Sequence, residues 1–335
     1  METAATRRKL GSWVRGLAIG WLLLGLAGAR ADTPGYTEQP LALATATGAL
    51  QGSLVLPEGR ARMPVVLIIA GSGPTDRNGN SSLLPGPSNS LKMLAAALAE
   101  AGFASLRYDK RGIAASAPAA AREADLRFDL YVQDAADWVR LLRADSRFSA
   151  VAVVGHSEGS LIGMLAARQA GAQAFVSIAG PAQGAAAVLR QQFARKQLPP
   201  DLAARNEAIL SALEQGRPAA DVPQSLALFY RPGIQPYLIS WFSHVPATEF
   251  AQLGIPTLVL QGDTDTQVRT DEAEALQRAK PDTELRIVKG MNHVLKLVPA
   301  DPALQRASSS DPTLPLAPEL PRAIARFLSR VLPAK

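Results

Sequence analysis

Val151-Ala152-Val153-Val154-Gly155-His156-Ser157-Glu158-Gly159 decides how the chain is read. Its first residues are β-branched or small and wholly apolar, as in a strand buried on both faces of a parallel sheet. That strand runs straight into Gly-x-Ser-x-Gly, and helix-forming residues follow from about Glu158 to Gln169. A sharp strand-to-helix turn of this kind strains the serine backbone and presents its hydroxyl at a helix N-terminus. The motif alone is common in loops rich in Gly and Ser; the strand before it and the helix after it set this copy apart. Ser157 is the candidate nucleophile.

Outward from this point the sequence alternates. Val65-Val66-Leu67-Ile68-Ile69 is a second buried strand and stops at the Gly-rich loop Ala70-Gly71-Ser72-Gly73-Pro74. A helix is expected over Ser90–Ala101, a strand over Phe103–Tyr108 and a helix over Phe128–Leu142, where Leu130, Ala135, Trp138, Leu141 and Leu142 recur at helical spacing. After the central stretch come a strand at Ala174–Ala179, a strand at Pro256–Gln261, a helix at Asp271–Ala279, a strand at Leu285–Val288 and a final amphipathic helix at Arg322–Val331. Before it, Leu41–Ala46 and Ser53–Leu56 read as a short antiparallel pair around Gly48 and Gly52. The segment 181–250 breaks the rhythm: it is rich in Ala, Gln and Arg, is punctuated by prolines, and reads as several short helices. Repeated βα units around one helical insertion imply an α/β fold with a doubly wound, mostly parallel sheet and a helical lid. The expected division is 32–180 and 251–335 for the two parts of the core and 181–250 for the lid.

A serine hydroxyl is a weak nucleophile at neutral pH and needs a base, an orienter for that base and donors for the oxyanion. Gly290-Met291-Asn292-His293 follows the last strand directly, which puts His293 in a loop at the carboxyl edge of the sheet. The turn after the preceding strand, Gly262-Asp263-Thr264-Asp265, offers two carboxylates. Asp265 has the longer reach and is preferred as orienter, with Asp263 its rival, better suited to fixing the turn itself. The oxyanion donors are expected to be backbone N–H groups of Glu158 and Ser72, with Gly71 next. His156 is assigned to packing. His244 falls in the lid, as does a cluster of large apolar side chains from Leu226 to Phe242, in which Tyr237, Trp241 and Phe242 are candidates for the wall of a substrate pocket.

The bulk composition restricts the rest. With 47% apolar and 19% charged residues the 335-residue chain is globular rather than disordered or fibrous. Of the net charge of +6, residues 1–31 carry +4, so no basic patch for nucleic acid is supported. Those residues combine a basic segment, the apolar run Gly16–Gly28 and Ala29-Arg30-Ala31, the layout of a cleavable export signal with cleavage after Ala31. Thirteen apolar residues fall short of the roughly 20 that span a bilayer, so no stable membrane span is expected after cleavage, and the mature chain is expected to be secreted or periplasmic. Thr6-Arg7-Arg8-Lys9-Leu10 also resembles a twin-arginine signal. The absence of cysteine excludes disulfides, thiol catalysis and Cys-ligated metal, and three histidines, two of them claimed above, argue against a multi-His metal centre. Neither Gly-x-x-x-x-Gly-Lys-Ser/Thr nor Gly-x-Gly-x-x-Gly is present, so a nucleotide cradle is disfavoured.

Several stretches together resemble the α/β-hydrolase superfamily, close to its serine aminopeptidase-like and lysophospholipase-like group. They are Gly71-Ser72-Gly73-Pro74-Thr75-Asp76-Arg77-Asn78-Gly79-Asn80, Arg107-Tyr108-Asp109-Lys110-Arg111-Gly112, the Ser157 turn, Gly262-x-x-Asp265-x-x-Val268 and Met291-Asn292-His293-Val294-Leu295-Lys296. In similar proteins the Asp-x-Arg-Gly stretch continues Gly-x-Gly-x-Ser, whereas here it reads Arg111-Gly112-Ile113-Ala114-Ala115-Ser116; the missing glycine alters a supporting loop. The resemblance implies carboxyl-ester chemistry on a small-molecule substrate through an acyl-enzyme, with no cofactor required. Exopeptidase and thioesterase activity, or a binding protein that has lost catalysis, are the alternatives on the same fold. An exopeptidase would need a charged anchor for a substrate terminus, for which Glu158 or a carboxylate of the lid is the candidate.

Overall fold

Apolar runs with no polar face belong in the middle of a sheet covered on both sides, and that is where they lie. The computed structural model describes residues 35–332, so the reading of residues 1–31 as an export signal lies outside the described residues. Eight strands, β1 Tyr36–Thr45, β2 Gly48–Pro57, β3 Met63–Ile69, β4 Ala104–Tyr108, β5 Phe148–His156, β6 Ala174–Ile178, β7 Thr257–Gly262 and β8 Glu284–Val288, form one sheet in the order β1-β2-β4-β3-β5-β6-β7-β8. β1 and β2 pair antiparallel, as do β2 and β4; every pairing from β4 to β8 is parallel.

Three α-helices precede β6 among the described residues: α1 Ser90–Glu100, α2 Phe128–Ala144 and α3 Glu158–Ala170. Five more, α4 Ala185–Arg195, α5 Pro200–Glu214, α6 Ala227–Tyr230, α7 Gln235–Phe242 and α8 Pro246–Ala251, form the insertion between β6 and β7. α9 Thr270–Ala279 connects β7 to β8, and α10 Pro302–Ser308 and α11 Glu319–Val331 follow β8.

All seven residues of β3 are buried, and its side chains alternate between two cores. Val65, Leu67 and Ile69 pack with α2, α3 and the insertion, while Val66 and Ile68 pack with α1 and α11. The fold is therefore a doubly wound α/β sandwich, as the alternation of the sequence predicts. Two features differ from the sequence reading. β1 begins at Tyr36 and is far longer than the apolar stretch, because its residues at the sheet edge are largely exposed and show no hydrophobic run. α10 has no apolar period either; it is fixed instead by Asp301, whose side chain accepts from the N–H groups of Ala303 and Leu304, with Pro302 at its first position.

From β3 the chain crosses to β4 on one side and returns to β5 on the other, so the switch point of the sheet lies between β3 and β5. Ligands of doubly wound folds bind in the crevice beyond the carboxyl ends of such strands.

Candidate active site

The register of β3 and β5 builds the first half of the site. Ile69 pairs with Gly155, so Gly71 and Ser157, each two residues further on, leave the sheet side by side. A side chain on Gly71 would lie 3.3 Å from Ser157 Cβ. Ser157 has φ 55° and ψ −120°, a left-handed backbone that a non-glycine residue adopts at a cost of about 1–3 kcal/mol. Tertiary contacts hold it there: Ser157 N–H donates to the Ile178 carbonyl at 2.9 Å, and α3 is pressed so closely on β3 that a Cβ at Gly159 would lie 2.4 Å from the Ile69 carbonyl oxygen. The second glycine of the motif is thus required by the approach of helix to strand. Neither the Ser72 nor the Glu158 N–H donates to any other group among the described residues.

The second half is built by β7 and β8. At Gly262 a Cβ would meet the Met291 carbonyl oxygen at 1.9 Å, so only glycine lets the turn after β7 lie against the loop that carries His293. Within that turn the two carboxylates do different things. Asp263 accepts a hydrogen bond from Gly290 N–H at 2.6 Å and ties the two loops together. Asp265, 7% exposed, lies 2.8 Å from His293 Nδ1 through Oδ2 and accepts from the N–H groups of Gln267 and Val268, at 2.7 and 3.0 Å, through Oδ1. Burial alone would raise its pKa, but the neighbouring His293 and these amide bonds outweigh burial and hold it below the ordinary carboxylate range. His293 Nε2 and Ser157 Oγ have no hydrogen-bond partner among the described residues.

His156 joins the halves. Its Nε2 donates to the His293 carbonyl at 2.9 Å, and the two imidazole rings lie 4.9 Å apart. Burial, with His293 adding to it, lowers its pKa to about 3, so it stays neutral and serves as a strut. His244 is occupied elsewhere, 3.0 Å from Asp129 and 5.4 Å from the Phe128 ring.

Of the candidate pocket residues, Tyr237 is buried, and its hydroxyl donates to the Glu158 carboxylate. Trp241 stacks on Phe128 with ring centres 6.0 Å apart and planes 5° from parallel, and Phe242 is half-buried beside it. Leu226 and Tyr230, from the same apolar cluster, are fully buried within the insertion.

Lys110 was not singled out by the sequence reading. It lies two residues beyond the end of β4, is 1% exposed, and donates to Glu158 Oε2 and to the Gly71 carbonyl, both at 2.6 Å. Its position is the available signal: a lysine two residues past a wholly buried strand lies at the carboxyl edge of the sheet, where the site is. Glu158 is consequently paired on both oxygens, and is not free to anchor a charged substrate terminus. Asp109 and Arg111 on either side serve the loops, through Arg77 at 2.7 Å and Asp134 respectively. Among the described residues no cluster of His, Cys, Asp and Glu is arranged to hold a metal ion, and no helix is long and apolar enough to cross a membrane.

Strained serine turn, sheet order and helical insertion define the α/β-hydrolase class. The profile of the family described as serine aminopeptidase, S33, matches residues 87–214. Esterase EstD of Thermotoga maritima is 26% identical over 249 residues, which are 73% of this chain and 58% of EstD, so the chain matches little more than half the length of that relative. Among solved structures, Est1E from Butyrivibrio proteoclasticus with ferulic acid bound superposes with a TM-score of 0.59 at 17% identity, over 88% of this chain and all of Est1E. The Pyrococcus furiosus esterase Pf2001 gives 0.57 at 15% identity, over 89% and 92% of the two chains. These likenesses show that the chain has the α/β-hydrolase fold.

Proposed function

We propose that this chain is a serine hydrolase that cleaves a small or medium carboxylic ester. Ser157 attacks the carbonyl while His293 takes its proton through Nε2. Asp265 holds the imidazole with the proton on Nδ1 and steadies the imidazolium that forms. The N–H groups of Ser72 and Glu158 receive the oxyanion, and after the alcohol departs with the proton from His293, water releases the acyl group by the same sequence. The observation that carries this reading is the 2.8 Å contact of Asp265 with His293 Nδ1, which leaves Nε2 available, in a loop tied to the serine turn by His156.

An ester is favoured over a peptide terminus because Glu158 is already paired with Lys110 and Tyr237. The name of the relative Esterase EstD leans the same way. The helical insertion acts as a lid whose Tyr237, Trp241 and Phe242 flank the acyl group. The layout of residues 1–31 supports export and cleavage after Ala31, which N-terminal sequencing of the protein recovered from the periplasm or medium tests. A panel of p-nitrophenyl esters, thioesters and aminoacyl anilides tests the chemistry: ester turnover well above anilide turnover is expected, and the reverse order would assign the site to a peptidase.

A further inference from the structure

Lys110 is a buried charged group beside the serine turn that the proposed reaction leaves unused, and its partners are specific. The ammonium donates to the Gly71 carbonyl and to Glu158 Oε2, each at 2.6 Å, and lies 5.3 Å from the centre of the Tyr131 ring. Glu158 is 3% exposed, and its other oxygen accepts from Tyr237 of the insertion. Among the described residues, one cation is therefore bonded both to the peptide group before Ser72 and to the side chain of the residue after Ser157.

Those are the two residues whose N–H groups would form the oxyanion hole. In a trans peptide the C=O and the following N–H point in opposite directions. Gly71 is buried and Ser72 exposed; fixing the Gly71 carbonyl inward on Lys110 thus turns the Ser72 N–H outward toward the crevice beside Ser157. A carbonyl that accepts from a cation also polarises its own amide, so the N–H becomes a stronger donor. We propose that Lys110 is the positioning residue of the oxyanion hole: it orients and polarises the Gly71–Ser72 peptide and locks it to Glu158, so that both donors are set before substrate arrives. The inference rests on the serine hydrolase reading and deepens it.

Removing Lys110 alone leaves Glu158 buried without a counter-ion, which can unfold a protein for reasons unrelated to catalysis. The double variant Lys110→Met/Glu158→Gln removes both charges, keeps the volumes, and still offers Tyr237 an acceptor. Both variants of the full chain are to be compared with wild type in three ways: the rate of labelling by a fluorophosphonate, kcat and KM on a p-nitrophenyl ester per labelled site, and inhibition by phenylboronic acid, which forms a tetrahedral anion on the serine. Loss of one oxyanion donor costs about 10²–10³-fold in kcat; misdirecting one is expected to cost about 10²-fold. Since the interaction is made only in the transition state, kcat, labelling rate and boronate affinity fall together while KM changes little. A merely structural role gives a lower melting temperature and fewer labelled sites, with wild-type kcat at each. A double variant with wild-type kcat per labelled site overturns the inference and leaves the hydrolase reading standing. If wild type itself is not labelled, both fall.

Discussion

Replacing Asp265 by Asn keeps the side chain's shape and removes its charge and part of its acceptor pattern. Asp265 Oδ1 accepts from Gln267 N–H and Val268 N–H, while Oδ2 lies 2.8 Å from His293 Nδ1 and 3.1 Å from Gln261 Nε2. An Asn has one acceptor oxygen for these two places. If that oxygen faces His293, two buried amides meet an NH₂ group, at about 1–3 kcal/mol for each donor left unpaired. If it faces the amides, the NH₂ group donates to Nδ1 and the imidazole proton moves to Nε2. The second arrangement retains more hydrogen bonds and is the one expected to form. A ring protonated on Nε2 cannot accept the Ser157 proton, and loss of the correct tautomer in a triad costs on the order of 10⁴ in turnover. Asp263→Asn is the matched control. Asp263 makes one bond, to Gly290 N–H at 2.6 Å, and an amide oxygen can accept it, so a loss of about tenfold or less is expected. Steady-state ester hydrolysis at one neutral pH, normalised to labelled sites, measures both. A larger loss in Asp263→Asn than in Asp265→Asn would refute the assignment of the orienter.

Ala114 has φ 44°, a backbone that favours glycine; Ala114→Gly is expected to stabilise the chain by about 1 kcal/mol, seen as a higher thermal midpoint, and an unchanged or lower midpoint would show that the loop has relaxed around alanine. Lys296 is fully buried, donates to the Leu314 carbonyl at 2.5 Å, and is lowered by burial to about 8, with Asp311 opposing. The folded state therefore disfavours the charged amine, a penalty present in full below about pH 8 and relieved as pH rises toward the ordinary value of 10.5. Lys296→Met is expected to melt about 3 °C above wild type at neutral pH, with the gap closing as pH rises through that window; a gap independent of pH would count against a buried charge. Trp241→Ala removes the ring stacked on Phe128 and, on the proposed pocket reading, is expected to shift the preference between acetyl and longer acyl esters by about tenfold, whereas a uniform loss at every chain length would assign Trp241 to packing alone.

The fold was legible because burial leaves a compositional trace. Runs such as Val65–Ile69 and Val151–Val154 have no polar face, and the helices between them repeat at helical spacing. Where an element is held by polar contacts at the surface the trace vanishes, as at β1 and at α10, whose cap at Asp301 is its sequence signal. The serine turn carries its own geometry in Gly155, Ser157 and Gly159, and His293 lies in chain order behind the last strand. Asp263 and Asp265 share one turn, and composition gives both the same chemistry; they are separated by the course of the chain past Gly262, which aims one at Gly290 and the other at His293. Lys110 and Glu158 are 48 residues apart and meet because β4 and β5 flank β3. The place of Lys110 just past β4 marks it as near the carboxyl edge, but its pairing with Glu158, formed across strands, leaves no local pattern in either segment.

The central claim is that Ser157 is a nucleophile activated by its surroundings in the folded chain. A fluorophosphonate probe followed by peptide mapping tests it most directly. The account predicts one covalent adduct, on Ser157, formed in the native protein, absent after denaturation, and lost together with ester turnover in Ser157→Ala. A native chain that takes no label, a label on another residue, or a Ser157→Ala variant that still turns over ester would contradict it.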